Sequence, residues 1–393
     1  MKKKLVTTAL AVLAVCQLQA VSTAKLKEAV ATVKAVGGEG RGNVAASEAW
    51  RTLSQAEAGS LVVILSSMDD ASPLAANWLR GAVHAIADRE LAAGRKLPVA
   101  ALRKFINDTE RNPRARRFAF DLIEQADAKL AKSLVPDFIN DPSVELRRDA
   151  VQGVIDAADA AKRNGKKDDA TRGYQKALRY ARDVDQIQKA VGALREFGQT
   201  VDVPKQFGFL MDWQVVGPFD NTEREGFARV FPPEKGVQLG GAYPGKEGEV
   251  KWQAFTSEDE YGLVDMNTAL SMKKGVTAYA FTEFEAQAAG PAELRLGSKN
   301  AWKIWVNGKF VFGRDEYHRG KRIDQYHLKV NLKAGINTIL VKVCQDEQEQ
   351  PWTKEWDFQL RVSDSTGAAV LAKNRRPTPS AALNPPKGGK KGY

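Results

Sequence analysis

Cysteine and histidine are scarce in this chain of 393 residues, which has only Cys16 and Cys344 and three histidines. It also lacks the H-E-x-x-H and G-x-S-x-G motifs, a phosphate-binding loop and a dinucleotide glycine pattern. Two cysteines exclude a cysteine-rich metal site. The common catalytic signatures are missing as well. We therefore expect a protein that is not an enzyme, with no catalytic residues, no cofactor and no metal.

Long apolar runs are also missing beyond the first residues. Residues 1–24 contain three lysines at positions 2–4, then an apolar stretch from Leu5 to Val15 and small residues that end at Ala24. This pattern is typical of a secretory signal peptide cleaved after Ala24. No later run approaches the roughly 20 residues that span a bilayer. We expect a secreted or periplasmic protein without a transmembrane span.

The same leader allows a second interpretation. Leu13-Ala14-Val15-Cys16 resembles a bacterial lipoprotein cleavage box, in which Cys16 becomes the lipidated first residue. Val15 is larger than the residue usual before that cysteine. Lipidation at Cys16 would anchor the protein to a membrane instead of releasing it.

The formal net charge of +11 is concentrated at the two ends. Three lysines lie at positions 2–4, and six basic residues lie after Ala372 without an acid among them, which leaves the body at +2. A nearly balanced body does not predict a nucleic-acid groove. Residues 365–393 are rich in Pro, Gly, Ser and Lys, and this composition predicts a disordered basic tail.

The first half of the chain contains an internal repeat. The letters FIND occur at residues 105–108 and again at 138–141. Helix-start signals, each a capping residue followed by proline, recur at Ser72-Pro73, Asn112-Pro113 and Asp141-Pro142. Repetition at this spacing predicts an α-solenoid of helical hairpins over residues 25–205. Such a stack offers an extended surface for a protein partner.

One stretch of this half resembles a known repeat. LVPDFINDPSVELRRDAVQGVI, residues 134–155, resembles the HEAT-type repeat through its Asp141-Pro142 turn and its Arg147-Arg148 pair. The resemblance implies HEAT-like repeats that bind protein. For the two arginines, solvation or contacts between repeats is favoured over ligand binding.

The pattern changes from Trp213 onward to short runs of period two that are rich in Val, Ile, Tyr, Phe and Trp. The Asn307-Gly308 pair suits a tight hairpin. About eight or nine strands without intervening helices predict an antiparallel β-sandwich or jelly roll over residues 208–364. The predicted class is therefore an α + β multidomain protein.

This second half resembles the galactose-binding-like β-sandwich, the sugar-binding domain of many glycoside hydrolases. The resemblance rests on LRLGSKNAWKIWVNGKFVF, residues 294–312, and IDQYHLKVNLKAGINTILVKV, residues 323–343. It implies a fold shared by many functions. It also implies a glycan or cell-envelope polysaccharide as partner.

The hairpin KIWVNGKFVF, residues 303–312, has large side chains on both faces. In the resembling domains Ile304, Val306 and Val311 face between the sheets, which turns Trp305, Phe310 and Phe312 outward. Either another part of the chain covers them, such as the helical half or the segment before Lys251, or Trp305 and Phe310 form an aromatic platform for sugar. We expect Trp305 to be covered.

A second candidate site lies in loops, where binding residues concentrate on a rigid scaffold. The candidate ligand-binding residues are Arg314, Tyr317, His318, Arg322, Asp324 and Trp352. An ion pair of the Arg314–Asp324 type that pins the loop explains the same charges. The acidic run at Asp346-Glu347 lacks the spacing of an EF-hand, although a structural Ca²⁺ stays open.

These expectations combine into one hypothesis. It is a secreted, non-catalytic bacterial envelope adaptor, whose sandwich binds carbohydrate and whose helical repeats bind protein. Two alternatives stay open: a purely structural envelope protein without sugar affinity, and a glycoside hydrolase or lyase with an unrecognised site.

Overall fold

The structure is a computed structural model that describes residues 21–385. Helices occupy the first half and antiparallel strands the second, so the coarse prediction of an α + β chain is confirmed. The helices are α1 (Thr23–Lys34), α2 (Asn43–Ser54), α3 (Leu61–Ser66), α4 (Pro73–Ala92), α5 (Val99–Asn107), α6 (Pro113–Ala126), α7 (Ala128–Leu134), α8 (Val144–Arg163), α9 (Lys167–Tyr180), α10 (Val184–Glu196), α11 (Val203–Phe207), α12 (Pro232–Lys235), α13 (Met266–Leu270) and α14 (Ser380–Leu383).

The N-terminal leader lies almost wholly outside the described residues, and so does Cys16. The predicted cleavage point after Ala24 falls inside α1, which begins at Thr23. The Ser22 side chain accepts a hydrogen bond from the Lys25 N–H and caps this helix. Within residues 21–385, no helix has both the length and the apolar character needed to cross a membrane.

The chain divides into two compact units at Arg147/Arg148. The helices from α9 onward therefore lie in the same compact unit as the strands. In the first unit, Ser72 and Asn112 cap α4 and α6 ahead of a proline, as their motifs predict. The third motif differs, because α8 begins only at Val144.

Buried contacts hold Asp141 in the turn before this helix, where its carboxylate also accepts from the Ser143 N–H at 2.7 Å. The Asp141 carboxylate accepts from the Arg116 guanidinium at 2.6 and 2.7 Å, and both side chains are nearly inaccessible. Arg147 is 3% exposed and donates to the Asp141 carbonyl at 2.7 Å. Arg148, in the second unit, pairs with Asp185 at 2.6 Å. Arg147 therefore fixes the turn before α8, and Arg148 joins α8 to α10.

The second unit contains twelve strands in the described chain, all paired antiparallel. They are β1 (Asp212–Asp220), β2 (Ala242–Pro244), β3 (Glu249–Lys251), β4 (Gln253–Thr256), β5 (Leu263–Asp265), β6 (Val276–Ala286), β7 (Gly290–Gly297), β8 (Ala301–Val306), β9 (Lys309–Arg314), β10 (Tyr326–Leu332), β11 (Gly335–Gln345) and β12 (Asp357–Ser363). A six-stranded sheet has the order β4-β1-β6-β11-β8-β9, a four-stranded sheet the order β10-β7-β12-β5, and β2 pairs with β3.

One apolar cluster joins the two larger sheets. It includes Ile304 of β8 and Val341 of β11 from the six-stranded sheet, with Leu294 of β7 and Leu360 of β12 from the other. Successive side chains of a strand point to opposite faces of the sheet. The residues that alternate with these core residues along each strand therefore lie on the outer faces of the two sheets. Both outer faces carry large buried side chains.

The outer face of the six-stranded sheet is covered by residues 227–252, here called the covering segment. Phe231 and Tyr243 of this segment pack into a cluster with Trp305, Phe281 and other outward residues of the sheet. Trp305 is 8% exposed. The segment before Lys251 therefore hides the tryptophan, as one of the two interpretations of the hairpin predicts.

A buried lysine fastens the covering segment to the sheet. The Lys342 ammonium is inaccessible and donates to the Phe227 and Arg229 carbonyls at 3.2 and 2.7 Å. It also lies 2.8 Å from the Glu234 carboxylate. Burial lowers the pKa of Lys342 below its ordinary value.

The outer face of the four-stranded sheet carries charges instead, in an ionic cluster of Glu293, Arg295, Asp324 and Arg361. The Asp324 carboxylate accepts from Arg361 at 2.5 and 2.6 Å and from Arg295 at 3.1 Å. Arg295 also pairs with Glu293 at 2.8 Å. Burial by itself would raise the pKa of Asp324, but the two guanidiniums outweigh it and lower that pKa.

Residues 365–385 differ from the predicted disordered tail, because they make specific contacts. Arg375 donates to the Phe209 carbonyl at 2.7 Å, and Thr378 donates to the Asp202 carboxylate at 2.8 Å. Ala382 of α14 is fully buried. The amino-acid composition of the tail does not reveal these contacts, because only a few of its side chains make them. The last predicted tail residues, 386–393, lie outside the described chain.

Candidate functional site

Three loops meet at one end of the two sheets and bring together Asn221, Arg224, Tyr317, His318 and Asp346, which we name the loop-end cluster. The Asp346 side chain is 1% exposed. Its carboxylate accepts from Arg224 Nη2 at 2.7 Å and from His318 Nε2 at 2.7 Å. A buried carboxylate with two such partners holds both loops in one geometry.

The backbone of these loops is strained. Among residues 21–385, seven non-glycine residues have a positive φ, and Glu223, Arg224 and His318 are three of them, at 54°, 64° and 56°. Such conformations cost about 1–3 kcal/mol each and persist where surrounding contacts impose them. Here Asp346 holds two of the side chains, and the Glu347 carboxylate accepts from the Glu223 N–H at 2.6 Å.

Tyr317 lies under Arg224 in this cluster. The guanidinium carbon is 4.8 Å from the centre of the tyrosine ring, a cation–π contact. The Tyr317 hydroxyl accepts from Asn221 Nδ2 at 3.2 Å. Burial raises the pKa of Tyr317, so the hydroxyl stays protonated at neutral pH.

A buried amide network supports the cluster from below. Asn221 is fully buried and donates to the Gln345 carbonyl at 2.9 Å. The Gln345 side chain in turn donates to the Thr353 carbonyl at 2.8 Å and accepts from Asn300 at 3.2 Å. Bonds of this kind fix the loops before any ligand arrives.

Trp352 stands on the loop that this network anchors. It lies in a 3₁₀ turn, Pro351–Thr353, and is 66% exposed. Lys274 donates to the Thr353 carbonyl at 2.6 Å, which holds the turn in place. The loop end therefore combines an exposed indole ring on an anchored turn with polar side chains.

The structure does not bring all the predicted site residues together. Arg314 pairs with Glu316 at 2.6 Å, Arg322 is exposed, and Asp324 belongs to the ionic cluster on the four-stranded sheet. The expected ion pair between Arg314 and Asp324 does not form, because the Asp324 carboxylate binds Arg361 and Arg295 instead. Of the six candidates, Tyr317 and His318 lie in the loop-end cluster, and Trp352 shares a loop with Asp346.

The hairpin aromatics also differ from one another. Phe310 pairs with Trp305 across β8 and β9 and is 52% exposed. The register then shifts by a β-bulge, so that Phe312 pairs with Ile304 and its ring lies 5.8 Å from Trp302 of the core. Phe312 therefore does not share the outer face of Trp305, contrary to simple alternation.

Sequence reasoning missed Asn221 and Arg224 and weighed Asp346 only as a calcium ligand. The available signal was the polar stretch that directly follows β1, DNTERE at residues 220–225. Its partners are more than 90 positions away, so the sequence did not show which loop it would meet. In the described part of the chain, no group of three His, Cys, Asp or Glu residues is arranged to hold a metal ion.

Comparisons with known proteins give only distant similarity. No family model matches the chain, and no curated protein matches it. A solved anti-sigma factor domain-containing protein is 12% identical, with a TM-score of 0.24, over 31% of this chain and 41% of the other. The chain thus spans less than half of that structure.

Two further solved structures contain sugar-related domains. A β-glucosidase from Kluyveromyces marxianus in complex with glucose is 10% identical over 39% of this chain and 16% of its own, with a TM-score of 0.26. A PA14 sugar-binding domain from an RTX adhesin is 13% identical over 39% of this chain and 89% of its own, with a TM-score of 0.22. Similarity at this level assigns neither a family nor a ligand.

Proposed function

We propose that the second unit is a galactose-binding-like β-sandwich that binds carbohydrate at its loop end. The observation that carries this proposal is Trp352, an indole 66% exposed on an anchored turn. An aromatic face packs well against the C–H face of a sugar ring, while nearby charged groups bond its hydroxyls. Arg224 of the loop-end cluster is the group proposed for this role, because its side chain is 48% exposed while one of its nitrogens donates to Asp346.

The proposed role is binding without catalysis. Asp346, the central carboxylate of the loop-end cluster, is buried and bonded to both His318 and Arg224. A carboxylate held in this way is poorly placed to attack a substrate or to exchange a proton with it. These contacts favour an adaptor over the alternative of a hydrolase or lyase.

The experiment is a glycan array probed with the full chain and with Trp352→Ala. We expect the wild type to bind a subset of glycans and the variant to lose them, with unfolding free energy unchanged within about 0.5 kcal/mol. Phe310→Ala is the matched comparison, since Phe310 is the more exposed aromatic of the hairpin, at 52%. Loss with Phe310→Ala alone would move the site to the hairpin. An unaltered binding pattern in both variants would exclude the two aromatic sites.

We further propose that the helices bind a protein partner and that the chain acts outside the cytoplasm. N-terminal sequencing of protein from the producing cell tests the second point. A start at Lys25 agrees with the small residues before it, and a start at Val21 would keep the Ser22 cap of α1. A lipid-modified Cys16 would support the anchored alternative, and an intact Met1 would contradict export.

A further inference from the structure

A groove of about 360 Å³ opens at the start of β1, outside the loop-end cluster. Its wall includes a cross-strand row on the six-stranded sheet, in which Ala254 of β4 lies opposite Gln214 of β1 and Gln214 lies opposite Phe281 of β6. Phe281 belongs to the outward cluster under the covering segment. The groove thus crosses three strands, which spans about 10 Å at the spacing of strands in a sheet.

Four charged residues line this groove, and their charges balance. Asp212 and Glu283 oppose Arg375 and Arg376. The Arg376 side chain is 76% exposed, and the nearest carboxylate oxygen, on Asp212, is 3.9 Å away. Glu283 is exposed as well. Both a donor and an acceptor are therefore available to a ligand.

We propose that this groove is a second carbohydrate site, which binds a segment of a neutral polysaccharide chain. The inference rests on the proposed carbohydrate-binding function and extends it to a different surface. A lining without net charge favours an uncharged ligand, and hydroxyl groups can use both the guanidinium and the carboxylate. The length across three strands accommodates more than one sugar ring.

The main chain explains why a peptide is the poorer occupant. The backbones of β4, β1 and β6 already pair with one another in this region. A peptide that crosses the outer face would therefore find no ladder of free N–H and C=O groups between these strands, and pairing with the free edge of β4 would carry it along that strand instead of across all three. The lining combines apolar side chains such as Leu239 and Leu371 with polar ones such as Gln214, so it offers both packing and hydrogen bonds to a sugar.

The test is affinity electrophoresis of the full chain through gels that contain arabinoxylan, galactomannan or mixed-linkage β-glucan, with polygalacturonate as the acidic comparison. The groove variant combines Glu283→Ala with Arg376→Ala. Its matched control combines Glu249→Ala with Lys251→Ala, an exposed pair of the same charges on β3. Trp352→Ala reports on the loop end in the same gels.

We expect at least one neutral polysaccharide to retard the wild type and the control equally. The groove variant should bind it at least about tenfold more weakly, as expected for two lost hydrogen-bonding groups, and should melt at the wild-type temperature. Retention lost with Trp352→Ala but unchanged in the groove variant would overturn the groove and leave the loop-end site standing. Retention lost in the groove variant but unchanged with Trp352→Ala would support the groove and overturn the loop-end site.

Three other results would overturn the groove. The first is retardation by polygalacturonate alone, and the second is no retardation in any of the four gels. The third is that no polysaccharide binds, while peptides selected for binding to the full chain need Glu283 and Arg376. If none of the four gels retards the protein, the glycan array with Trp352→Ala decides separately whether the loop end binds sugar.

Discussion

The outer faces of the two large sheets are both buried, but by opposite kinds of side chain. The six-stranded sheet presents Trp305 and Phe281 to an apolar covering segment. The four-stranded sheet presents Arg361 and Arg295 to the Asp324 carboxylate. Apolar packing depends on area and shape, whereas each charge in the second face depends on one particular partner. Substitutions on the two faces should therefore lower the stability of the fold for different reasons.

The largest expected effect is at the apolar face. Trp305→Ala should lower the free energy of unfolding by about 3–5 kcal/mol, the range for truncating a buried large aromatic. Phe310→Ala is the control, because Phe310 is half exposed and should cost much less. Chemical denaturation measures both. Equal losses in the two variants would show that the covering segment does not protect Trp305.

At the ionic face, Arg361→Gln should cost about 3 kcal/mol. Arg361 is 1% exposed, and its loss leaves a buried aspartate with only the longer Arg295 contact. The double variant Arg361→Gln/Asp324→Asn removes the stranded charge and should regain part of this stability. If the double variant is less stable than the single one, the charge is not what makes the single change costly.

The two faces should also respond differently to acid. The folded-state pKa of Asp324 lies below its unfolded value, so its contribution is fully present above the unfolded pKa of about 3.9. The contribution is lost as pH falls through the folded pKa. We expect wild-type stability to fall more than that of Asp324→Asn as the pH is lowered from about 5 through the range below the unfolded pKa. Trp305→Ala should keep the wild-type acid profile, and parallel curves for wild type and Asp324→Asn would contradict this assignment.

The smallest effect concerns the C-terminal residues. Thr378→Val should lower the free energy of unfolding by about 1 kcal/mol, because its hydroxyl donates to the Asp202 carboxylate. Thr378→Ser keeps the hydroxyl and should retain most of the stability. If valine is as stable as threonine, this contact does not hold the segment, and the predicted disordered tail regains support.

The sequence predicted what depends on neighbours along the chain. Period-two runs indicated the strands, and the large side chains on both faces of KIWVNGKFVF favoured a cover for Trp305 over an exposed platform. Proline after a capping residue located the starts of α4 and α6. In each case, the deciding residues lie within one element.

Contacts between distant residues were beyond the same reasoning. Asp324 meets Arg361 across 37 positions, and Arg224 meets Asp346 across 122. No local pattern selects such partners. The bulge that pairs Phe312 with Ile304 depends on β8, and the contacts of residues 365–385 depend on two distant acceptors, the Asp202 carboxylate and the Phe209 carbonyl. Composition describes none of these.

The bulge in β9 also bears on how this protein avoids sticking to itself. β9 ends the six-stranded sheet, and an exposed phenylalanine on a terminal strand invites a second molecule to extend the sheet. The irregular register interrupts the flat row of hydrogen-bonding groups that such growth requires. Lys309 at the start of the strand adds a charged side chain of the kind that disfavours pairing between edges. The bulge is thus expected to protect against fibril-like association at high local concentration.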